Sequence, residues 1–328
     1  MAKKKVKPKR TGRKKKKQGG FFSSMTRTFW HLLVGVIFLI LVVEGVIYVH
    51  DYQSSNNKEK KTLVIRQKTQ SPETGKREEF RKDLSRQDEK YRVSGQSFKA
   101  GDEIPKLKVK RKEQVIRHEG YTVSYNSDYR IANWVAYELT DKEAVSKKAE
   151  RSNKFVADPE VKGAMATNGD YHRSGYDRGH LAPAADMKWS VKAMRESFYM
   201  SNICPQKPGL NRGIWNQLEE DCRMWAKENG ALMIVTGPVI SANMERLGEN
   251  RVAVPEKFYK VVCRYAGDTP TAIGFVFENR NYSDESLLNF AVPVDEVETV
   301  TGIDFFPSFP DSIENRMESS VDWTSWSF

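Results

Sequence analysis

From Thr28 to Val49 the chain reads TFWHLLVGVIFLILVVEGVIYV, a nearly unbroken apolar run whose one acidic or strongly basic residue is Glu44. Its 22 residues at a helical rise reach about 33 Å, enough for a bilayer core of about 30 Å. Glu44 would cost about 2.5–3.5 kcal/mol at the bilayer centre, but it lies near the outer end and can reach the interface. The run therefore predicts one membrane span, and it divides the chain. A cleavable signal peptide would have a shorter apolar region, about 7–15 residues, and a small-residue cleavage site. The following GVIYVHDYQSS offers no good one, so we read an uncleaved signal anchor. Residues 1–27 carry 12 Lys/Arg and no acid, whereas residues 51–68 beyond the span carry five, Lys58, Lys60, Lys61, Arg66 and Lys68. This asymmetry predicts a cytosolic tail, with everything after His50 outside the cytosol.

The formal net charge of +11 suggests a polyanion binder until it is divided along the chain. Residues 51–115 hold 18 Lys/Arg against 11 Asp/Glu, and residues 116–328 hold 24 against 31. The folded part is thus acidic, which excludes a wholesale basic surface; any phosphate site must be local, built from a few cations or a metal ion. The basic tail KKKVKPKRTGRKKKK reads as an orientation signal and a contact for anionic lipid. From Asp51 to about Ala100 the sequence is charged, with no sustained apolar period, as in a tether. The organisation is therefore a basic tail (1–27), a transmembrane anchor (28–49), a charged linker (50–103) and a folded domain (104–328).

In that domain YTVSYNSDYRIANWVAYEL predicts two strands joined through NSD, and ALMIVTGPVI, FYKVVCRYA and TAIGFVFEN predict further strands of one sheet system. NRGIWNQLEEDCRMWAKENG, Asn211 to Gly230, places Ile214, Leu218, Cys222 and Trp225 on one helical stripe, with Gly230 as a stop. Shorter helices are expected in SDESLLNFAV, capped by Ser283, and in VDEVETVTG. Strands with segregated helices define an α+β domain. Cys204, Cys222 and Cys263 show no zinc-ligand spacing; in an oxidising compartment two could pair, and the sequence does not say which.

The chemistry concentrates in SGYDRGHLAPAADM, Ser174 to Met187. A phosphodiester is hydrolysed by a deprotonated water and by positive charge placed where the phosphorane becomes negative. His180, with an ordinary pKa of about 6.5, is a suitable base at neutral pH. Arg178 could hold a phosphate bidentately, and the small Gly179 between them would let backbone approach a substrate. At 100° per residue Asn211, Glu219 and Arg223 share one helix face opposite much of the apolar stripe. A hard cation such as Mg²⁺ could take an amide oxygen from Asn211, with Glu219 holding a coordinated water. Each piece alone also fits an ordinary polar surface; their combination raises the odds.

That combination resembles the DNA/RNA non-specific endonuclease family, which includes secreted bacterial nucleases and mitochondrial endonuclease G. The pieces GYDRGHLAPAADM, SNICPQ, LNRGIWNQLE, VTGPV, VPEKFYKVV and TGIDFFPSFPD occur in order between about Gly120 and Asp311. The resemblance implies a ββα-metal (His-Me finger) nuclease domain around a central antiparallel sheet. It makes His180 the general base, Asn211 the direct ligand of Mg²⁺, with Mn²⁺ as a substitute, and Glu219 the acid orienting the metal's water. Arg178 and Arg223 become phosphate-binding arginines, Asn202 an amide positioning the histidine or substrate, and Asp177 a brace of the loop.

The function expected is a membrane-anchored, Mg²⁺-dependent endonuclease acting on DNA and RNA without sequence preference, on the outer side of a bacterial membrane, with a homodimer as candidate assembly. The alternative is a tethered module that captures nucleic acid without cutting it. A mitochondrial transit peptide is disfavoured by the lysine blocks and the long apolar span.

Overall fold

The computed structural model describes residues 101–265 and 270–327. The anchor, tail and most of the linker lie outside them; among the described residues no helix is long and apolar enough to cross a membrane.

Alternating side chains generate the sheet. Strands β1 (Gln114–Arg117), β2 (Thr122–Asn126) and β3 (Ile131–Thr140) form a meander. The short pair β4 (Asp177–His180) and β5 (Ile203–Gln206) stands apart from the main sheet. Strands β6 (Ala231–Pro238), β7 (Lys257–Arg264), β8 (Thr271–Glu278) and β9 (Ala291–Val292) complete it. The order is β9-β8-β7-β6-β3-β2-β1, with every neighbouring pair antiparallel.

Because successive strand residues face opposite ways, the sheet has two apolar faces and buries both. Val135, Tyr137, Ile234, Phe258, Val262 and Phe275 join a core with helix α1 (Trp215–Asn229), through Trp215, Leu218, Cys222 and Trp225. Their neighbours Trp134, Ala136, Met233, Val235, Tyr259 and Val261 join a second core. That core is covered by helices α2 (Val294–Thr301) and α3 (Asp311–Glu318), through Val294, Val297, Ile313 and Met317. The expected strands and the α+β class are thus realised as helix, sheet and helix layers. Gly230 ends α1 at φ 86°, a conformation that glycine adopts without strain. The carboxyl-terminal Trp326 docks on the α1 core, edge-on to Trp225 with ring centroids 4.9 Å apart.

Three expectations change. In SDESLLNFAV the structure has a single 3₁₀ turn, Leu287–Phe290, and Ser286 rather than Ser283 caps it by accepting the Leu288 N–H. The long helix begins at Trp215, preceded by a wide turn over Leu210–Ile214 in which Gly213 departs from helical geometry (φ −101°, ψ −116°). Asn211 therefore does not lie on the face of a regular helix with Glu219 and Arg223; the 100° projection fails at Gly213. The three cysteines are all free and buried, and Cys222 and Cys263 belong to opposite cores.

Candidate active site

Strand β4 carries Asp177, Arg178, Gly179 and His180 and pairs with β5, with Gly179 opposite Cys204 and His180 opposite Ile203. A side chain at position 179 would collide with Gln206: a Cβ there would lie 2.0 Å from its Oε1 and 2.4 Å from its Cδ. Gln206 is fully buried, so a side chain at 179 would have to displace it within the packed interior. This packing gives a reason for glycine beside the one drawn from the sequence, close approach of substrate.

His180 is 8 % exposed, and its Nε2 is buried without a hydrogen-bond partner. The imidazole meets Phe198 edge-on at 4.8 Å between centroids and leans on Phe155 at 5.5 Å. Each ring carries a guanidinium on its own account: Arg178 lies 4.2 Å over Phe155 and Arg151 lies 5.2 Å over Phe198. Arg178 is further fixed by donating from Nη1 to Asn168 Oδ1 at 2.6 Å, and Asn168 donates to the Phe155 carbonyl at 3.0 Å. Burial, with Arg151 and Arg178 beside it, pushes His180 down to about 3. The imidazole is thus neutral across the physiological range, its protonated form disfavoured by burial and by the two guanidiniums.

Asn211 is tied to the same strand. Its Nδ2 donates to Asp177 Oδ2 at 3.0 Å, and Arg212 grips that carboxylate with both Nε (2.7 Å) and Nη2 (2.6 Å). Spending the amide nitrogen on Asp177 fixes the orientation of the carboxamide and leaves its oxygen as the group available to a cation. The hold is reinforced from behind: Asn281 Oδ1 accepts the Gly209 N–H and Asn279 Oδ1 accepts the Lys207 N–H, both at 2.8 Å.

Glu219 and Arg223 belong to a deeper group. Arg223 Nη1 donates to Asp186 Oδ1 at 2.9 Å, and Tyr137 donates its hydroxyl to Asp186 Oδ2 at 2.9 Å. Asp186 is fully buried. Lys260, on the α1 side of β7, is also fully buried, with Nζ 4.7 Å over the Trp215 ring and without a hydrogen-bond acceptor. Burial pushes Glu219 up to about 8 against the pull of Lys260. The oriented Asn211 carboxamide oxygen and the Glu219 carboxyl are each oxygen donors of the kind a hard cation takes.

Asn202 is fully buried and wholly engaged with backbone. Its Oδ1 accepts the Ala182 N–H, and its Nδ2 donates to the Ala182 and Ser197 carbonyls, at 2.8–2.9 Å. It anchors the chain two residues beyond His180, which suits a positioning role and leaves no atom for substrate.

The structure therefore gathers Arg178, His180 and, through Asp177, Asn211 around one strand, and Glu219 and Arg223 around Asp186. Sequence reasoning missed Arg151, Phe155, Phe198, Asp186 and Lys260. Lys260 carried a usable signal, a cation at an inward position of a strand that alternates Phe258, Lys260, Val262; Arg151 carried none. His118, given no role from sequence, is buried and pairs with Asp158 at 2.9 Å, and His172 is exposed.

A short antiparallel strand pair thus presents a neutral imidazole between arginines, and a long helix follows it. The family model for DNA/RNA non-specific endonucleases matches residues 100–312, and the chain belongs to that family. It is 34% identical over 232 residues to the mitochondrial nuclease of Saccharomyces cerevisiae, covering 62% of this chain and 69% of that one. It is 35% identical over 208 residues to human mitochondrial endonuclease G, covering 60% and 70%. With the mitochondrial nuclease EXOG of Mus musculus it shares 35% over 222 residues, 63% of this chain and 60% of that one. A crystal structure of the EndoG/EndoGI complex superposes with a TM-score of 0.58 at 33% identity, covering 61% of this chain and 88% of that chain. The fold is endonuclease G-like, the chain is a nucleic-acid hydrolase, and its family is metal-dependent.

Proposed function

We propose that this nuclease is a membrane-anchored, Mg²⁺-dependent endonuclease that hydrolyses DNA and RNA without base preference, with Mn²⁺ able to replace Mg²⁺. The observation that carries the reading is the neutral His180 imidazole flanked by Arg178 and Arg151, on the strand whose Asp177 orients the Asn211 carboxamide. His180 takes the proton of the attacking water. Arg178 and Arg151 hold the phosphate and stabilise its developing charge. A divalent ion bound by the Asn211 oxygen, with Glu219 orienting its waters, would supply Lewis-acid charge at the leaving oxygen. Arg223, held by Asp186, steadies the floor beneath Glu219. Weak base preference follows if contacts go to phosphate and sugar. Arg151 also borders a hollow of about 690 Å³ where Lys148, Lys154 and Arg195 stand among Glu150, Val156, Val191 and Met194, so cations at its edge could meet a flanking phosphate.

In this reading residues 1–27 stay in the cytosol, 28–49 span the membrane, 50–103 tether, and 104–328 work outside the cytosol of a bacterium, as a monomer or homodimer. The test incubates full-length protein, and His180→Ala, with plasmid DNA and with RNA in Mg²⁺ or Mn²⁺. Both substrates should be cut by the parent, cutting should stop with chelator, and the variant should be strongly impaired. Intact substrates with a gel shift that His180→Ala leaves unchanged would favour the alternative, a non-cleaving capture module. Protease added outside sealed cells should remove the folded domain and spare the tail.

A further inference from the structure

On the face of the sheet away from α1, helices α2 and α3 carry carboxylates that the reaction does not use. Asp295, Glu298 and Glu318 each bring a carboxylate oxygen within 4.8 Å of the other two. Asp295 and Glu298 are three apart on α2 and share a helix face, and Glu318 closes the group from the end of α3. Asp295 is exposed, Glu298 half-buried, and Glu318 only 5 % exposed.

Part of this negative charge is already answered. Lys108 Nζ lies 2.7 Å from Glu298 Oε2 and 2.7 Å from Asp304 Oδ1, and Glu298 Oε1 accepts the Phe305 N–H at 2.8 Å. Neither bond extends to Glu318, whose Oε1 is buried with no partner. Burying a carboxyl oxygen unpaired beside other acids costs free energy unless something occupies the gap.

We propose that Asp295, Glu298 and Glu318 form a second cation site, selective for a hard divalent ion and best matched to Ca²⁺, on the opposite side of the sheet from the catalytic centre. All three donors are carboxylate oxygens, which favour hard ions over soft ones. Two oxygens on opposite sides of a Ca²⁺ at about 2.3–2.6 Å stand about 4.6–5.2 Å apart, so the 4.8 Å bound on this group admits Ca²⁺ over its whole range, whereas about 2.0–2.1 Å for Mg²⁺ holds such a pair to about 4.0–4.2 Å. Ca²⁺ also tolerates irregular coordination, so waters complete the shell and Lys108 keeps its place on the outer side of Glu298.

The site needs no nuclease activity to exist, so its test is independent of the catalytic reading. Full-length Asn211→Ala protein, in which the catalytic ligand is removed, is titrated with Ca²⁺ by calorimetry and by thermal unfolding. One Ca²⁺ per chain and a raised unfolding midpoint are expected. Glu318→Gln should weaken this binding by at least about tenfold, the scale on which ligand charge sets Ca²⁺ affinity, while the same change in the parent leaves Mg²⁺-supported cleavage unchanged. Should Glu318→Gln fail to fold, the exposed Asp295→Asn decides and should weaken binding in the same direction. No Ca²⁺ bound at millimolar concentration, or equal affinity in the folded variants, overturns the proposal.

Discussion

The rim and the floor of the catalytic centre handle charge in different ways. At the rim Asp177 is clasped by Arg212, which is largely exposed, and Arg178 is exposed and steered by one amide and one ring. On the floor Asp186 is fully buried and shared between Arg223 and Tyr137, with Lys260 nearby and no acceptor of its own. Water screens the rim, so its pairs orient side chains without holding the fold together. Nothing screens the floor, so removal of one partner strands another charge in the interior. The rim is therefore where chemistry can be altered with the fold intact, and the floor is where chemistry and folding are one property.

That contrast can be broken most directly at Asp186. Asp186→Ala should lower unfolding free energy by about 3–5 kcal/mol, the usual cost of breaking a buried ion pair, measured by urea denaturation; a loss below about 1 kcal/mol would mean that the floor behaves like the rim. Next in size, His180→Ala should reduce turnover by at least about 10²-fold, equivalent to about 2.7 kcal/mol of barrier, in protein that still unfolds cooperatively. Turnover near the parent's would remove His180 from the role of base. Gly179→Ala should destabilise by about 1–3 kcal/mol through overpacking against Gln206, and Gly179→Ala combined with Gln206→Ala should recover much of it.

The pH dependence sharpens the same comparison. The unfolded His180 imidazole takes up a proton near 6.5, but the folded one does so only near 3. Between those values the unfolded state binds more protons, so this residue's contribution weakens the fold as pH falls from about 6.5 towards 3. Its imidazole resonance in an NMR titration should stay unmoved from pH 8 to pH 5; a midpoint near 6.5 would show an imidazole open to water. The smallest effect belongs to Arg212→Ala, which should leave the unfolding midpoint within error and change only the affinity for the activating metal, through looser orientation of Asn211.

Much of this fold was legible because its strands have period two and bury both faces. Thr122–Asn126, Ile131–Thr140, Ala231–Pro238, Lys257–Arg264 and Thr271–Glu278 all fall within runs that alternate small, branched and aromatic residues between turn residues. Helix α3 was missed, since DSIENRME is short and polar and buries only Ile313, Met317 and Glu318; it exists because the outer face of the sheet must be covered. His180, Arg178 and Asn211 could be named from their motifs, but the projection that joined Asn211 to Glu219 assumed an unbroken helix, and Gly213 interrupts it. Asn211 reaches the centre through Asp177 instead.

Alone, the sequence determined the apolar segment at Thr28–Val49, the uneven distribution of charge, the sheet-forming periods and the motif that makes His180 the candidate base, because each is written in neighbouring residues. Only the tertiary structure decided that Arg151 and Arg178 stand on Phe198 and Phe155 around one imidazole, that Lys260 faces inward over Trp215, and that Glu318 meets Asp295 and Glu298. Those arrangements join positions about twenty to fifty residues apart in some pairs and close neighbours in others. Their energies depend on exclusion of water, which no local stretch of chain can specify before the layers close.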